Sequence, residues 1–219
     1  MKIETISFNF DDEMISRTRC DQVPRVRVYE WSDVSVVIGR GGKQELELEA
    51  RNIVEDGITL YKRPGGGCSV VLDPGNLIVS VVLPIPGLSG IKSAFASISQ
   101  WLITALASCA IPDVMQLGVS DLVIGDRKIG GSCVYRTKGL LYYSTTLLVD
   151  HDPELVDRYL KHPPREPEYR IQRPHRQFMV SLKDLGLANQ PDFLRSLLKE
   201  ELERGLITLS LDTGCPVND

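Results

Sequence analysis

Several things are scarce in this chain, and each scarcity removes a class of function. Aromatic residues are 6% of the sequence, and the three histidines, His151, His162 and His175, lack metal-ligand spacing. The five cysteines, at 20, 68, 109, 133 and 215, are odd in number, scattered and without a Cys-x-x-Cys pair. That fits reduced thiols better than a disulfide framework or a zinc site. No apolar run reaches membrane-spanning length, because the longest candidate, LIVSVVLPIPGL, is cut by Pro84 and Pro86. The first residues, MKIETISFNFDDEM, have neither a basic stretch leading into an apolar one nor an Arg-rich transit pattern. No membrane partner is therefore expected, and the cytoplasm is the expected compartment. Excess positive charge is missing too: a formal net charge of −4 argues against a general nucleic-acid partner, while leaving room for a local cationic site.

What is present is an ordinary globular composition, 42% hydrophobic and 25% charged over 219 residues, enough to bury one substantial core. A single domain over 1–219 is expected. Strand-like and helix-like patterns mix without strict β-α-β alternation, which predicts an α+β fold. RVRVYEW and VSVVIG read as strands around a turn at Ser32-Asp33, and QELELEARNIVEDG as a helix stopped by Gly57. ITLYK, CSVVL and NLIVSVVLP read as further strands. From Ile91 onward, Ile91, Phe95, Ile98, Leu102 and Leu106 recur every three or four positions, predicting a helix whose stripe faces the sheet. DLVIGDRKIGGSCVYRTKGLLYYSTTLLVD reads as a three-stranded meander with glycine turns, and DPELVDRYLK as a short helix capped by Asp152. HPPREPEYRIQRPH reads as a proline-broken loop, QPDFLRSLLKEELERG as a final helix ended by a glycine, and LITLSL as a last strand.

Two glycine-rich turns carry cations. In YKRPGGGCSVVLDPGN, Lys62 and Arg63 precede Gly65, Gly66 and Gly67, and strand-like runs flank the turn. Ordering three glycines costs backbone entropy, so such a turn serves close backbone approach to an anionic ligand or a purely structural turn. In GDRKIGGS, Arg127 and Lys128 precede Gly130, Gly131 and Ser132. On a strand Arg127 and Lys128 point to opposite faces, so only one of them can enter a shared cleft. Lysine is a compact point charge suited to a carboxylate or phosphate oxygen.

KRPGGGCSVVLDPGNL resembles the Arg-Arg-x-x-Gly-Gly-Gly-x-Val…Asp-x-Gly-Asn signature of the lipoate–protein ligase A family. SDLVIGDRKIGGSCVYRTKGLLYYSTTLLV is similar to that family's Asn-Asp-Leu…Lys-Ile-x-Gly-Ser-Ala block, and VYEWSDVSVVIGR to the segment that ends in Ile-Gly-Arg, here at Arg40. Glu13 falls in the helix where the family has Asp-Glu, and the resemblance covers most of residues 7–150 in the right order. It implies a mixed β-sheet packed with helices, of the class II aminoacyl-tRNA synthetase and biotin synthetase type. The implied activity is ATP-dependent attachment of lipoate, through lipoyl-adenylate, to a lysine of a lipoyl carrier domain.

Carried over residue by residue, Lys128 is the catalytic cation that binds the acyl carboxylate and then the adenylate. Arg63 and the amides of Gly66 and Gly67 would hold the acyl-phosphate side, and Ser132 would line the slot for the acyl chain. Asp121 would stand near Mg2+ and the adenylate, while Gly65, Asp73, Asn76 and Gly131 complete the implied substrate and cofactor positions. ATP, Mg2+ and lipoate are the implied cofactors and substrate. The family's His-Asp is here Leu72-Asp73, and its Asn before Asp-Leu is Ser120. Its histidine before the Gly-Thr-Leu-Leu run is Ser144, and Cys68 and Cys133 stand where it has glycine and alanine. The cation and glycines are kept and several adenylate-side polar groups are not, so the resemblance bears more directly on acyl binding than on ATP use.

Two other functions remain open. One is an octanoyl- or lipoyl-transferase working through a cysteine acyl-enzyme; such enzymes place the cysteine just before Asp-Leu or well after the lysine strand. Here the first place reads VMQLGVS, and after Cys133 only Cys215 follows. Cys68 and Cys133 themselves fit a nucleophile or small half-buried strand residues. The other function is a non-catalytic acyl-binding homologue. Lys161, Arg165, Arg170, Arg173 and Arg176 make the proline-broken loop basic, as a lid, a docking surface for an acidic carrier, or a solvated loop. Residues 178–219 offer one helix and one strand, so no large C-terminal accessory domain is expected, and a separate accessory subunit could complete the adenylating site.

Overall fold

The strand at Asn76–Pro84 is an uninterrupted apolar run apart from two small polar residues, and all nine of its residues are buried. A strand buried on both faces belongs at the middle of a sandwich of layers. The computed structural model describes residues 2–85, 90–188 and 191–213, so Pro86 and Cys215 lie outside the described residues. In chain order the elements are β1 (Ile6–Ser7), α1 (Asp12–Asp21), β2 (Arg25–Glu30), β3 (Ser35–Ile38), α2 (Gln44–Glu47) and α3 (Ala50–Glu55). Then come β4 (Thr59–Lys62), β5 (Val70–Leu72), β6 (Asn76–Pro84), α4 (Ile91–Ser108), β7 (Val114–Leu117) and β8 (Asp121–Ile124). The chain continues through β9 (Arg127–Thr137), β10 (Leu140–Leu148), α5 (Pro153–Tyr159), a 3-10 turn (Glu168–Arg170), α6 (His175–Phe178) and α7 (Pro191–Asp212).

The strands form a six-stranded sheet, β2-β6-β10-β9-β8-β7, and a four-stranded mixed sheet, β1-β4-β3-β5. The larger sheet is antiparallel at every pairing. Period-two alternation gives it two unlike faces. Leu77, Val79, Val81, Leu141, Tyr143 and Leu147 point to one face, where Ile98, Leu102 and Leu106 of α4 and Leu194, Leu198 and Leu202 of α7 close the main core. The alternate residues Ile78, Ser80, Tyr142, Ser144 and Thr146 face the other way, toward α1 and the smaller sheet. That mixed, partly polar face is the floor of the cleft.

The α+β mixed-sheet architecture, the helix from Ile91 and the β8-β9-β10 meander all agree with the sequence reading. The meander turn has Lys138 at φ 48° and Gly139 at φ 81°, the left-handed pair of a tight hairpin turn. Asp152 caps α5 by accepting from the amide of Glu154 at 2.8 Å. Three expectations need correction. The single helix over QELELEARNIVEDG is two short helices, because Leu48 turns extended and bridges Leu160 in antiparallel fashion. Leu48 is 1% exposed, so packing in the second core outweighs continuation of the helix. The LITLSL strand is instead the last part of α7, which runs through Gly205. There a Cβ would come within 2.6 Å of Trp101 Nε1, so this glycine serves close helix packing and does not stop the helix. Finally, β7 and the short α6 went unseen within segments whose apolar spacing is too brief to show a period.

Candidate active site

The register of the meander contains one irregularity, and it builds the site. Asp121 pairs with Gly131 and Leu122 with Gly130, but Val123 pairs with Lys128, so β9 bulges at Ile129. Without the bulge, Lys128 and Gly131, three apart, would face opposite sides of the sheet. With it, Lys128 shares the cleft face with Gly131 and Asp121. Lys128 Nζ donates to Asp121 Oδ1 at 2.7 Å, with the two side chains 23% and 12% exposed. A Cβ on Gly131 would lie 2.9 Å from Lys128 Nζ, so the glycine leaves the space that the lysine crosses. Arg127 turns the other way and donates to the carbonyl of Met179 at 2.7 Å. The expectation that only one of the two cations enters the cleft holds.

Asp121 has a second partner from a distant part of the chain. Tyr169 Oη, in the proline-broken loop, donates to Asp121 Oδ2 at 2.8 Å. Burial, and then the charge of Asp121, push the Tyr169 hydroxyl well above the usual tyrosine value, which keeps it a donor. The Tyr169 ring packs at a tilt against Phe178, centroids 5.3 Å apart, and the Arg170 guanidinium lies 4.6 Å above the same Phe178 ring. After the loop, Met179 bridges Lys128 and Val180 N donates to Lys128 O at 2.9 Å, so the loop is stitched to β9 at its far end. The basic loop was legible as a candidate lid. Nothing in its sequence singled out Tyr169.

The first glycine turn stands opposite. Arg63, expected on the acyl-phosphate side, lines the cleft, and its donors go to the carbonyls of Val37 (3.1 Å), Gly66 (2.9 and 3.2 Å) and Cys68 (2.7 Å). It clamps the turn. Gly67 sits at φ 92°, and a Cβ on Gly65 would come 2.8 Å from Cys133 Sγ, so the turn lies close over β9. The amides of Gly66 and Gly67 have no partner among the described residues, which leaves them available to an anion. Glu47 supports the turn from behind, accepting from Ser69 N (2.7 Å) and Ser69 Oγ (2.8 Å).

Between the turn and the sheet lies a cavity of about 1420 Å³. Val37, Leu72, Ile78 and Leu148 give it an apolar part, and Arg40, Lys43, Lys161 and Arg170 stand among its other lining residues. Lys128, Gly131, Asp121 and Gly65 to Gly67 line it as expected. Ser132 borders it, but its hydroxyl bonds Tyr143 Oη at 2.8 Å, and Tyr143 is a core residue. The side chains that line this part of the slot are Cys133 and Tyr135. Asp73 and Asn76 are not in the cleft. Asp73 accepts from Gly75 N (2.8 Å), Asp152 N (2.9 Å) and His151 Nδ1 (2.7 Å), while Asn76 Oδ1 accepts from Asp73 N at 3.1 Å. These are buried fasteners of the turn before β6, and a Cβ on Gly75 would meet Asp150 O at 2.1 Å.

A magnesium ion held by Asp121 does not fit this arrangement. Both Asp121 oxygens are engaged, and among the described residues no group of three or more His, Cys, Asp or Glu could hold a metal. Cys68 and Cys133 both line the cleft, a placement the sequence left open. Burial raises both thiols above the ordinary cysteine value, with Glu47 adding to the effect at Cys68. Neither is set up as a ready thiolate.

Residues 5–202 match the model of the lipoyl protein ligase A/B catalytic domain. A Mycoplasma genitalium protein named "Probable lipoate-protein ligase A" is 28% identical over 151 residues, 68% of this chain and 44% of that protein. The chain thus spans less than half the length of that relative. "Octanoyltransferase LipM" of Geobacillus kaustophilus is 27% identical over 187 residues, covering 74% of this chain and 67% of the relative. Among solved structures, the bi-partite lipoate protein ligase of Thermoplasma acidophilum, studied with its E2 lipoyl domain, superposes with TM-score 0.75 at 24% identity, over 93% of this chain and 82% of that one. A lipoate-protein ligase A bound with ATP gives TM-score 0.75 at 22% identity, over 93% and 84%. With residues 5–202 matched, most of its length, the chain belongs to the lipoyl protein ligase A/B catalytic domain family.

Proposed function

We propose that this protein attaches lipoate to a lysine of a lipoyl carrier domain, activating it first as lipoyl-adenylate with ATP. The observation that carries the reading is the position of Lys128. It stands in a cleft that has an apolar part on one side and cationic residues elsewhere in its lining, opposite the amides of Gly66 and Gly67, which have no partner among the described residues. The apolar part takes the acyl chain, for which burial out of water is the driving force. The cavity of about 1420 Å³ exceeds what one medium-chain acid fills, which supports a second substrate beside it.

In this reading a lipoate carboxylate oxygen attacks the α-phosphorus of ATP, and the bond to pyrophosphate breaks. Lys128 neutralises the carboxylate as it binds and then the negative charge shared by the acyl carbonyl and phosphate. Asp121 holds Lys128 in place beforehand, and Tyr169 keeps Asp121 satisfied when Lys128 turns to the substrate. The neutral amine of the acceptor lysine then attacks the acyl carbon. The C–O bond to phosphate breaks, AMP leaves, and the amine gives up its proton as the amide forms. A separate accessory subunit is part of the proposal, since Leu72, Ser120 and Ser144 stand where the family motif has histidine, asparagine and histidine. Incubation with lipoate, Mg-ATP and a lipoyl domain tests the whole: intact-mass detection of lipoyl-adenylate and a lipoylated domain is the expected result. If the domain stays unmodified with preformed lipoyl-adenylate supplied, the reading fails.

A second reading, octanoyl transfer through a cysteine, is favoured by the two thiols lining the cleft. Their raised protonation range opposes it. A hydroxylamine-sensitive acyl adduct on the protein, together with loss of transfer in Cys68→Ser or Cys133→Ala, would select it.

A further inference from the structure

Part of the cleft rim is apolar and open to water, and nothing in the chemistry uses it. Val119, in the turn between β7 and β8, lines the cavity and is 85% exposed, while Met115 on the edge strand β7 is 49% exposed. Ile171, just past the 3-10 turn of the proline-broken loop, is 76% exposed. The two segments touch. A Cβ on Gly118 would lie 3.1 Å from Pro167 Cβ and 3.7 Å from the Tyr169 ring. Val119 and Ile171 each stand two residues from a partner in the Asp121–Tyr169 hydrogen bond. By chain reach their α-carbons are within roughly 18 Å of each other.

Ile171 is also poorly suited to its own backbone. It sits at φ 51° and ψ 49°, and Gln172 follows at φ 58°. In this left-handed region Cβ crowds the next carbonyl, and a β-branched side chain is an outlier there. Glycine is the comfortable occupant. Neighbours hold the turn: Glu166 Oε1 accepts from Gln172 N (2.9 Å) and Gln172 Nε2 (2.8 Å), and Arg173 Nη1 donates to Asp126 Oδ2 (2.8 Å). The turn thus presents a branched apolar side chain to water, and no burial within the chain offsets the strain. Strain kept at an exposed apolar position points outward, to a surface that covers it.

The position of the rim says what that surface belongs to. Asp121 holds Lys128 and is only two residues from Val119, so an amine that reaches an acyl group at Lys128 brings its carrier protein against this rim. A standard protein interface covers about 800 Å² on each side, wide enough to take both exposed residues. Charge sets the sign of the partner. Arg40 and Arg165 are exposed, line the same cavity and have no ion-pair partner among the described residues. A carrier with acidic residues around its lysine complements them.

We propose that Met115, Val119 and Ile171 form the apolar part of a docking surface for the acceptor lipoyl domain, with Arg40 and Arg165 meeting acidic residues beside its lysine. The inference rests on the acyl-transfer reading of Lys128. It gives the strained turn a purpose: a glycine at 171 would relax the backbone of the free protein and take away a contact made only in the complex.

The test is the rate at which the full chain acylates a lipoyl domain of varied concentration, with preformed lipoyl-adenylate supplied. Val119→Ser and Ile171→Gly are each expected to raise KM for the domain by about tenfold while kcat stays within about twofold. Ile171→Gly should melt no lower than the wild type, because glycine fits the left-handed turn. Arg165→Glu should raise KM as well, by a factor that shrinks at high salt. Unchanged KM in both Val119→Ser and Ile171→Gly overturns the docking surface and leaves acyl transfer standing. So does a lowered melting temperature with loss of kcat in Ile171→Gly, which would make Ile171 a residue of the fold. Loss of self-association in these variants at unchanged KM overturns it too, and gives the surface to a second copy of this chain. No acylation by the wild type would overturn the docking surface and the acyl-transfer reading together.

Discussion

Two aspartates of the family motifs end in opposite circumstances. Asp121 sits at the cleft with one oxygen on Lys128 and the other on Tyr169, within reach of whatever enters. Asp73 is 2% exposed and closed in by Gly75, Asp152 and His151, outside the cleft. Both looked alike as motif residues. A motif preserves what folds the loop as well as what touches the ligand, and only the hydrogen-bond partners distinguish the two. Arg63 makes the same point: it is a cation beside a ligand-facing turn, yet its donors hold that turn's own carbonyls.

The contrast can be broken most directly at Lys128. Lys128→Ala removes a preorganised charge from the reacting centre, so adenylate formation and acyl transfer should fall by about a hundredfold or more. Stability should move by about 1 kcal/mol, because Lys128 is 23% exposed and Tyr169 keeps one hydrogen bond on the Asp121 carboxylate it leaves. Near-normal turnover in this variant would remove Lys128 from the mechanism.

Asp73→Ala should do the reverse. It strips a buried carboxylate from three donors, at a cost on the order of 3 kcal/mol in chemical denaturation. Activity per folded molecule should stay within a few-fold. A large loss of turnover in fully folded variant would place Asp73 in the chemistry and erase the distinction drawn between the two aspartates.

Tyr169→Phe sharpens the catalytic half of the comparison. The ring packing on Phe178 is kept and one charge-assisted hydrogen bond to Asp121 is lost. About a tenfold drop in turnover is expected, with little change in melting temperature. Unaltered turnover would reduce Tyr169 to a loop-packing residue.

The smallest effect concerns pH. His175 lies beside Arg170, its Nδ1 3.4 Å from Arg170 Nη2 and its Nε2 3.3 Å from the carbonyl of Lys161. Burial first, and then the Arg170 charge, lower its protonation range below the ordinary 6.5. The folded state therefore binds fewer protons than the unfolded one just below that value. The stability contributed is present above pH 6.5 and is lost as pH falls through the lowered range. Amide exchange across residues 168–178 should accelerate on acidification in the wild type and do so less in His175→Gln. Equal acceleration in both would assign the effect to another group, His162 being the nearest candidate.

Where periodicity was long, the sequence carried the fold. The stripe from Ile91 to Leu106 and the turn-punctuated meander left little choice, because each alternative would expose a continuous apolar face. Where an outcome hung on one residue's neighbours, it did not. Leu48 breaks a helix-like run to pair with Leu160, more than a hundred residues on, and Gly205 continues a helix that local propensity would end. For the site, the glycines and Lys128 were legible because their chemistry is local. Tyr169 reaches Asp121, and Ser80 and Tyr142 reach Asp11, only through contacts between distant segments.

The sequence alone determined that a lysine and three glycines would stand at two strand-flanked turns, since that information resides in residue type and strand period. The expectation that both turns belong to one sheet gives way to two sheets, the glycines between β4 and β5 of the smaller and Lys128 on β9 of the larger. Tertiary structure decided which atoms face the ligand. A one-residue bulge at Ile129 moves Lys128 onto the face of Gly131 and Asp121. No propensity encodes it, because a bulge is stabilised by the pairing on both sides and not by the residue that bulges. The same holds for the buried Asp11 carboxylate, where Arg27 and Tyr29 of β2, Ser80 of β6 and Tyr142 of β10 meet. Side-chain protons find their acceptors only after the strands are in register, and that register is a property of the whole sheet.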